Sequence, residues 1–153
     1  MAPVPPTRGR RRAGPGKWPA GDLARLLAAY AAAGDDDVPV GPGVGIDAAV
    51  VRLGGTDLVV ASDPVTFAAE GIGAWAVTVN ANDVAVCGAR PRFFSATLLL
   101  PVDAPADLVE AIFADLAKAC RRLGVRLVGG HTECTAGLDR PILVQLGHYL
   151  GLL

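Results

Sequence analysis

The chain has 153 residues, of which 52% are hydrophobic, and a formal net charge of −1; these values exclude an intrinsically disordered protein and predict one domain with a real core. Five of the 14 basic residues precede Asp22, so the remaining nine face 15 acids and the rest of the chain carries a net charge of −6. This acidic body argues against nucleic-acid binding and suits a protein that binds divalent cations. Because no apolar run is typical of a signal peptide or membrane span, and three cysteines lack metal-ligand spacing, we expect a cytoplasmic protein with reduced thiols and no membrane partner.

The first part of the chain predicts a tail followed by a short helix. Residues 1–20 are rich in Pro, Gly and Arg and are interpreted as a disordered basic tail, either an arm for nucleic acid or membrane or an unstructured leader. The apolar stripe in Asp22–Ala33 predicts a helix that Gly34 ends. The three acids at 35–37 then favour either a metal site or a solvated turn.

The segment Val40–Asp47 has glycine at positions 41, 43 and 45. Glycine lets backbone amides approach a phosphate, because no side chain intervenes. The segment lacks the Gly-Lys-Ser/Thr of a Walker loop, and a strand follows it where a Rossmann fingerprint would have a helix. By itself it therefore identifies no nucleotide-binding fold.

Two strands, Ala48–Leu53 and Asp57–Ser62, are predicted to form a hairpin. If the turn is centred on Gly55, Leu53 pairs with Asp57 and Asp47 lies opposite Asp63. Directly opposed residues are about 4.5–5.5 Å apart, so the two carboxylates would repel each other or hold a cation between them. The alternative is a pair of exposed acids at the edge of a sheet.

The stretch Ile72–Cys87 is almost wholly apolar and predicts a buried helix that ends at Gly88. Asn80 and Asp83 lie three residues apart and share one face of this helix. Burying a carboxylate is costly unless a cation or hydrogen-bond donors meet it. The helix is therefore either a core helix whose polar groups are satisfied by backbone, or one that presents an amide and a carboxylate to a metal-bound ligand.

The second half of the chain predicts a strand over Arg92–Leu100, an amphipathic helix over Ala104–Leu123, and strands over Val125–Cys134 and Pro141–Leu150. The third of these elements passes through Gly129 and Gly130 into His-Thr-Glu. Glycines followed by polar side chains at the rim of a sheet predict contact with a phosphate or substrate. A structural role for the histidine is the alternative.

Four short motifs follow one another along the chain: Gly45-Ile-Asp-Ala-Ala49, Ser62-Asp-Pro-Val-Thr-Phe67, Asn80-Ala-Asn-Asp83 with Gly88-Ala-Arg-Pro91, and Gly129-Gly-His-Thr132. In this order they resemble the N-terminal domain of the aminoimidazole ribonucleotide (AIR) synthase superfamily, over about residues 20–150. That group includes the hydrogenase-maturation carbamoyl dehydratase, thiamine monophosphate kinase, selenophosphate synthetase and formylglycinamide ribonucleotide amidotransferase. The segments Asp-Pro-Val-Thr-Phe and Ala-Val-Cys-Gly-Ala-Arg-Pro are most similar to the hydrogenase-maturation branch and its AIR-synthase-related relatives.

The resemblance implies an α+β domain over residues 21–153, with a mixed or antiparallel sheet backed by two main helices and a homodimer formed through the sheet. It implies ATP and Mg²⁺ as cofactors, and phosphorylation of a phosphate oxygen or of an amide or carbamoyl oxygen. The implied Mg²⁺ ligands are Asp47, Asp63 and Asp83. The residues implied to lie near the nucleotide, phosphate or substrate are Gly43, Gly45, Asn80, Gly129, Gly130, His131 and Thr132.

The chain departs from the family pattern in three respects. Ile46 stands where family members commonly have the first acid of a pair, and His131 stands where many have Asp. Family enzymes also carry a second α/β domain, which we expect this chain to lack and a separate partner to supply. The function hypotheses are therefore the ATP–Mg²⁺-binding half of an enzyme or, alternatively, a non-catalytic dimerisation or scaffold domain or a truncated remnant.

Overall fold

The structure is a computed structural model that describes residues 14–31, 34–68 and 70–150, the last five as backbone. The predictions for residues 1–13 and 32–33 lie outside the described residues. Within these ranges the chain forms three helices and six strands. In chain order they are α1 (Ala20–Tyr30), β1 (Ala48–Leu53), β2 (Thr56–Ala61), β3 (Pro64–Val65), α2 (Ile72–Val86), β4 (Phe93–Leu100), α3 (Ala106–Leu123), β5 (Arg126–Cys134) and β6 (Ile142–Leu150).

The strands form one mixed sheet in the order β1-β2-β6-β4-β5, and β3 also pairs with β6. The pairing is antiparallel throughout except between β4 and β5, which α3 connects as a parallel crossover. The last strand in the chain, β6, therefore lies at the centre of the sheet and contacts three other strands. The predicted α+β fold with a mixed sheet backed by two main helices is confirmed.

The core lies between one face of the sheet and the helices α2 and α3. Along β4, buried and half-buried residues alternate strictly, because one face of this strand is covered and the other is partly open. Gly73 lets α2 approach α3 closely: a Cβ there would lie 2.7 Å from both the Ile112 carbonyl oxygen and the Leu116 backbone nitrogen. The buried apolar side chains of the sheet and the two helices include Val59, Ile72, Val77, Phe94, Leu98, Ile112, Leu116 and Leu143.

The predicted register of the β1–β2 hairpin is wrong by one residue. Gly54 and Gly55 both have positive φ values, of 55° and 82°, and together form a two-residue turn of the kind that matches the twist of a hairpin. Leu53 consequently pairs with Thr56, and Arg52 pairs with Asp57, to which it also forms an ion pair with an Nε–Oδ1 distance of 2.8 Å. Asp47 and Asp63 are therefore not directly opposed across the hairpin.

Two smaller features of the fold refine the sequence analysis. The acids at 35–37 form a solvated turn, because the Asp35 carboxylate accepts hydrogen bonds from the backbone N–H groups of Asp37 and Val38 and all three residues are exposed. The short strand β3 was not predicted; it begins at Pro64, a residue that has no backbone N–H and usually interrupts strand pairing. It lies beside the central strand, where Pro64 pairs with Val144.

Candidate functional site

Three acids from separate elements approach one another at one edge of the molecule's core. Asp47 immediately precedes β1, Asp63 lies between β2 and β3, and Asp83 lies in α2, which packs against β2, β3 and β6. We refer to these three residues as the carboxylate cluster. Asp83 and Asp63 are half-buried, whereas Asp47 is exposed.

Asp83 is affected by both other acids of the cluster. Burial raises the pKa of the Asp83 carboxyl to about 6, and the Asp63 carboxyl at hydrogen-bonding range, together with the charge of Asp47, acts in the same direction. The attraction of Lys17 partly opposes this rise. At neutral pH the cluster therefore concentrates negative charge that is only partly solvated, which is the condition under which a cation binds favourably.

The donor set of the cluster fits Mg²⁺ when a phosphate supplies the remaining ligands. Among the residues that the structure describes, the Oδ2 atom of Asp83 is buried and has no hydrogen-bond partner, so it is an acceptor that these residues leave open. Within the described ranges, no three His, Cys, Asp or Glu side chains are arranged as a ready-made metal cage. Mg²⁺ is commonly held by one or two carboxylates plus substrate phosphates.

Asn80 lies one turn before Asp83 but faces the interior. It is 0% exposed, and its Nδ2 group donates a hydrogen bond to the Oε1 atom of Gln145, which is also 0% exposed. Gln145 lies in the central strand β6 and was missed in the sequence analysis. The signal that points to it is one amide in an otherwise apolar strand, Ile142-Leu-Val-Gln-Leu146.

The glycine loop lies between α1 and β1. Gly45 has a φ of 81°, which favours glycine, and a Cβ on Gly43 would lie 2.9 Å from the Cγ1 atom of Ile46. Together with α1, the loop lines an open cavity of about 540 Å³. The loop leads directly into Asp47, so its backbone lies close in sequence to the carboxylate cluster.

The Gly-Gly-His-Thr motif lies in β5, whose one partner among the described strands is β4. Gly129 and His131 pair with Ser95 and Thr97 of the partly open face of β4, whereas Gly130 and Thr132 pair with the buried Ala96 and Leu98. The four residues therefore divide between the two faces of the sheet. They line part of a cavity of about 360 Å³ between β5 and α3.

The motif also carries a polar network of its own. The Nε2 atom of His131 lies 3.0 Å from Oε2 of Glu133, whose Oε1 accepts a hydrogen bond from the Thr135 hydroxyl. These two hydrogen bonds hold the pKa of Glu133 below its usual value. His131 and Glu133 are both exposed, so the network lies at the surface. Its hydrogen bonds among the described residues stay within the segment 131–135 and do not reach the carboxylate cluster.

The sequence profile of the family described as "AIR synthase related protein, N-terminal domain" matches residues 45–147, which is more than half of the chain. The chain belongs to this family. The matched range contains the whole carboxylate cluster and the Gly-Gly-His-Thr motif of this AIR-synthase-related domain. The expected family membership is thus confirmed.

Individual relatives agree with the family assignment. The domain is 37% identical to the carbamoyl dehydratase HypE of Escherichia coli (strain K12) over 46% of this chain and 21% of that protein. It is 33% identical to the thiamine-monophosphate kinase of Archaeoglobus fulgidus over 65% of this chain and 35% of that protein. A crystal structure of the hydrogenase maturation protein HypE in complex with ATP is 32% identical and covers 70% of this chain and 34% of its own, with a TM-score of 0.58.

These alignments also show how the domain compares in length with its relatives. The chain spans about a fifth to a third of the two curated relatives named above. None of the helices in the described part of the chain combines the length and apolarity needed to cross a membrane.

Proposed function

We propose that this AIR-synthase-related domain binds ATP together with Mg²⁺ and forms the N-terminal half of an enzyme that phosphorylates a phosphate oxygen or an amide or carbamoyl oxygen. The observation that carries the proposal is the pairing of Asp83 of α2 with Asp63 of the β2–β3 connection, within reach of the charge of Asp47 and with one buried oxygen of Asp83 left open by the described residues. The similarity to an ATP-bound HypE structure supports the same assignment.

The site residues have distinct roles in this proposal. Asp47, Asp63 and Asp83 hold Mg²⁺, and the loop containing Gly43 and Gly45 closes over the nucleotide. Bound Mg²⁺ would neutralise charge on the phosphates. The chain's own contribution is to position the phosphates and to present carboxylates whose mutual repulsion the cation relieves.

The Gly-Gly-His-Thr motif is assigned to the border of the phosphate or substrate site. Its backbone at Gly129 is accessible, since nothing lies within 4 Å of the place where a Cβ would stand. His131 and Thr132 add polar side chains to the same strand. Asn80, proposed to lie near the phosphates, has no exposed surface in this conformation, so its contribution there is to hold α2 in place.

The same proposal sets the domain organisation. Residues 21–153 form the N-terminal domain, residues 1–20 form a basic tail, and the substrate is chosen largely by a second domain carried on another polypeptide or on a longer form of this one. That partner is expected because the relatives are several times longer than the region of similarity. A cytoplasmic location remains a prediction from the sequence.

Isothermal titration calorimetry tests nucleotide binding directly. We expect ATP to bind in the presence of Mg²⁺, and we expect Asp83→Asn and Asp63→Asn to weaken this binding at least tenfold. Glu110→Gln is the matched control, because it also removes one acid but lies on the exposed side of α3. Absence of binding by the unmodified chain, with and without a C-terminal partner domain, would contradict the proposal.

A second candidate function is a dimerisation or scaffold domain, and the partly open face of the sheet favours it. This face carries apolar side chains, among them Leu58, Val60, Phe93 and Leu99, that are only half-buried. A large apolar face is typical of surfaces that another protein covers. The same face would serve a homodimer of the ATP-binding domain.

Light scattering distinguishes a dimer from a monomer. We expect the unmodified chain to be a dimer at micromolar concentration and Leu99→Lys to convert it to a monomer. Val102→Lys is the control, because Val102 is an exposed apolar residue just beyond the end of β4 and outside the sheet face. A monomeric unmodified chain would rule out the homodimer and this second function.

A further inference from the structure

Gln145 contacts the two segments that carry the half-buried acids of the carboxylate cluster, Asp63 and Asp83. Its backbone N–H donates a 3.4 Å hydrogen bond to the carbonyl oxygen of Asp63. Its side-chain Oε1 accepts the hydrogen bond from Asn80, which lies three residues before Asp83 in α2. One residue of the central strand is therefore bonded to the backbone that carries one carboxylate and to the helical turn that carries the other.

The burial of this pair of amides is unusual. Among the residues that the structure describes, Asn80 and Gln145 are the buried polar side chains of the core, and each is 0% exposed. Their nearest same-face neighbours in sequence are buried and apolar: Val77 and Val84 in α2, and Leu143 in β6. A hydrogen bond in such surroundings is directional. It therefore restricts the rotation of α2 and its axial position relative to β6 more than apolar packing does.

Stability alone is a poor explanation for the pair. The Oδ1 atom of Asn80 and the Nε2 atom of Gln145 are both buried and find no hydrogen-bond partner in the described part of the chain. A buried polar group without a partner costs free energy, and replacing both members of such a pair by apolar groups of similar shape is often neutral or stabilising. An apolar pair of similar shape would therefore serve a purely structural contact at least as well.

We propose that Gln145 is a positioning residue for the Mg²⁺ site, because its bonds to Asn80 and to the Asp63 backbone hold the Asp83 carboxyl beside the Asp63 carboxyl. Gln145 does not touch the metal ion or the nucleotide itself. It acts through α2 on one side and through the β2–β3 connection on the other. This inference rests on the proposed function, since it assumes that the carboxylate cluster binds a divalent cation.

The test measures binding of Mn²⁺, a paramagnetic substitute for Mg²⁺, by electron paramagnetic resonance in the presence of a non-hydrolysable ATP analogue. We expect Gln145→Met, which keeps the length of the side chain and removes its amide, and with it the bond to Asn80, to weaken Mn²⁺ binding about 10- to 100-fold, as is typical when a group that orients metal ligands is removed. Wild-type affinity in a folded Gln145→Met chain would overturn the inference and leave the proposed function intact.

A matched control separates positioning from general destabilisation. Ile112→Val removes a methyl group from the buried face of α3, away from the bonds that Gln145 makes. We expect it to lower the melting temperature without changing Mn²⁺ affinity. If Ile112→Val weakened Mn²⁺ binding as much as Gln145→Met, the effect of Gln145 would be merely structural and the inference would fail.

A double variant keeps the test decisive if Gln145→Met does not fold. Asn80→Leu combined with Gln145→Met places an apolar pair where the two amides stand, so neither variant side chain leaves a polar group unpaired. We expect this chain to fold and still bind Mn²⁺ at least tenfold more weakly than wild type. Wild-type affinity of the double variant would overturn the inference. Failure of the unmodified chain to bind Mn²⁺ would instead overturn the proposed metal site, and the inference with it.

Discussion

The residues that the sequence marks as functional fall into two regions that differ in how the chain builds them. The carboxylate cluster lies beside the central strand, where β6 and α2 fix the positions of Asp63 and Asp83 from several directions. The Gly-Gly-His-Thr motif lies in β5 at the edge of the described sheet, where exposed side chains extend along the whole strand. Contacts within the domain determine the geometry of the first region. In the second region, one edge of the described sheet and parts of both its faces stay exposed and available to a partner.

The largest expected effect comes from Gly130. A Cβ there would overlap the carbonyl group of Ala96 in the neighbouring strand, so Gly130→Ala should separate β5 from β4 and lower the free energy of unfolding by about 3 kcal/mol. Chemical denaturation measures this change. Gly129→Ala is the matched control, because nothing lies within 4 Å of its Cβ position, and it should change stability by less than about 0.5 kcal/mol. Equal effects of the two variants would contradict the described pairing of β4 and β5.

The next effect tests the central region through Gly73. An alanine there would bring its methyl group to 2.7 Å from backbone atoms of Ile112 and Leu116, so α2 and α3 must move apart, at an expected cost of about 2 kcal/mol. Thermal unfolding followed by circular dichroism measures it. Gly21→Ala in the exposed first turn of α1 meets no atoms within 4 Å and should leave stability unchanged or slightly raised. A stabilising Gly73→Ala would show that the two helices pack less closely than described.

The elements of the fold were largely predictable, because each one has a strong local signal. The apolar run of α2, the stripe of α3 and the glycine ends of both helices lie within short stretches of sequence. The strand order was not predictable in this way, since the position of β6 between β2 and β4 depends on contacts between residues far apart in the chain. The hairpin register was predicted wrongly for a specific reason: the prediction centred the turn on Gly55, whereas Gly54 and Gly55 together form a two-residue turn that pairs Leu53 with Thr56.

A smaller effect concerns the charge of Asp83. Its pKa is raised from 3.8 to about 6 in the folded chain, so between these pH values the folded state binds more protons than the unfolded state. Stability should therefore fall as the pH rises from about 4 to about 6 and stay low above that range. Asp83→Asn should abolish this fall and, after allowance for the partial exposure of the carboxyl, make the chain about 1 kcal/mol more stable at pH 7 without Mg²⁺.

Denaturant unfolding at several pH values, with and without excess Mg²⁺, checks this prediction. Mg²⁺ should stabilise the unmodified chain at pH 7 and have less effect at pH 5, where a proton competes for the same carboxylate. It should not stabilise Asp83→Asn. Glu110→Gln should follow the unmodified chain at every pH. A pH profile of Asp83→Asn that matched the unmodified chain would show that another group causes the pH dependence.

The candidate site was predictable only in part, and the two regions show why. The acids could be identified because carboxylates are rare in apolar sequence. The sequence predicted that Asp47 would lie opposite Asp63 across the hairpin. In the structure it is Asp83 whose pKa is raised, first by burial and then by Asp63. Gln145 was missed because its role depends on contact with Asn80, 65 residues earlier in the chain. The motif predicted that Gly130 contacts a phosphate. The structure shows in addition that a Cβ at this position would overlap Ala96 of β4, a packing requirement that no local sequence pattern reveals.

The smallest expected effect on this domain alone comes from His131, and it sharpens the contrast between the two regions. His131 is exposed and contacts Glu133 within its own strand, so His131→Ala should shift the melting temperature by less than about 2 °C. It should also leave Mg²⁺-dependent ATP binding by this chain within about twofold, whereas Asp83→Asn weakens it at least tenfold. Addition of a second-domain partner should expose the role of His131 as a loss of substrate turnover. A large loss of ATP affinity in His131→Ala without a partner would instead show that β5 contacts the nucleotide directly, and that the two regions form one site within this domain.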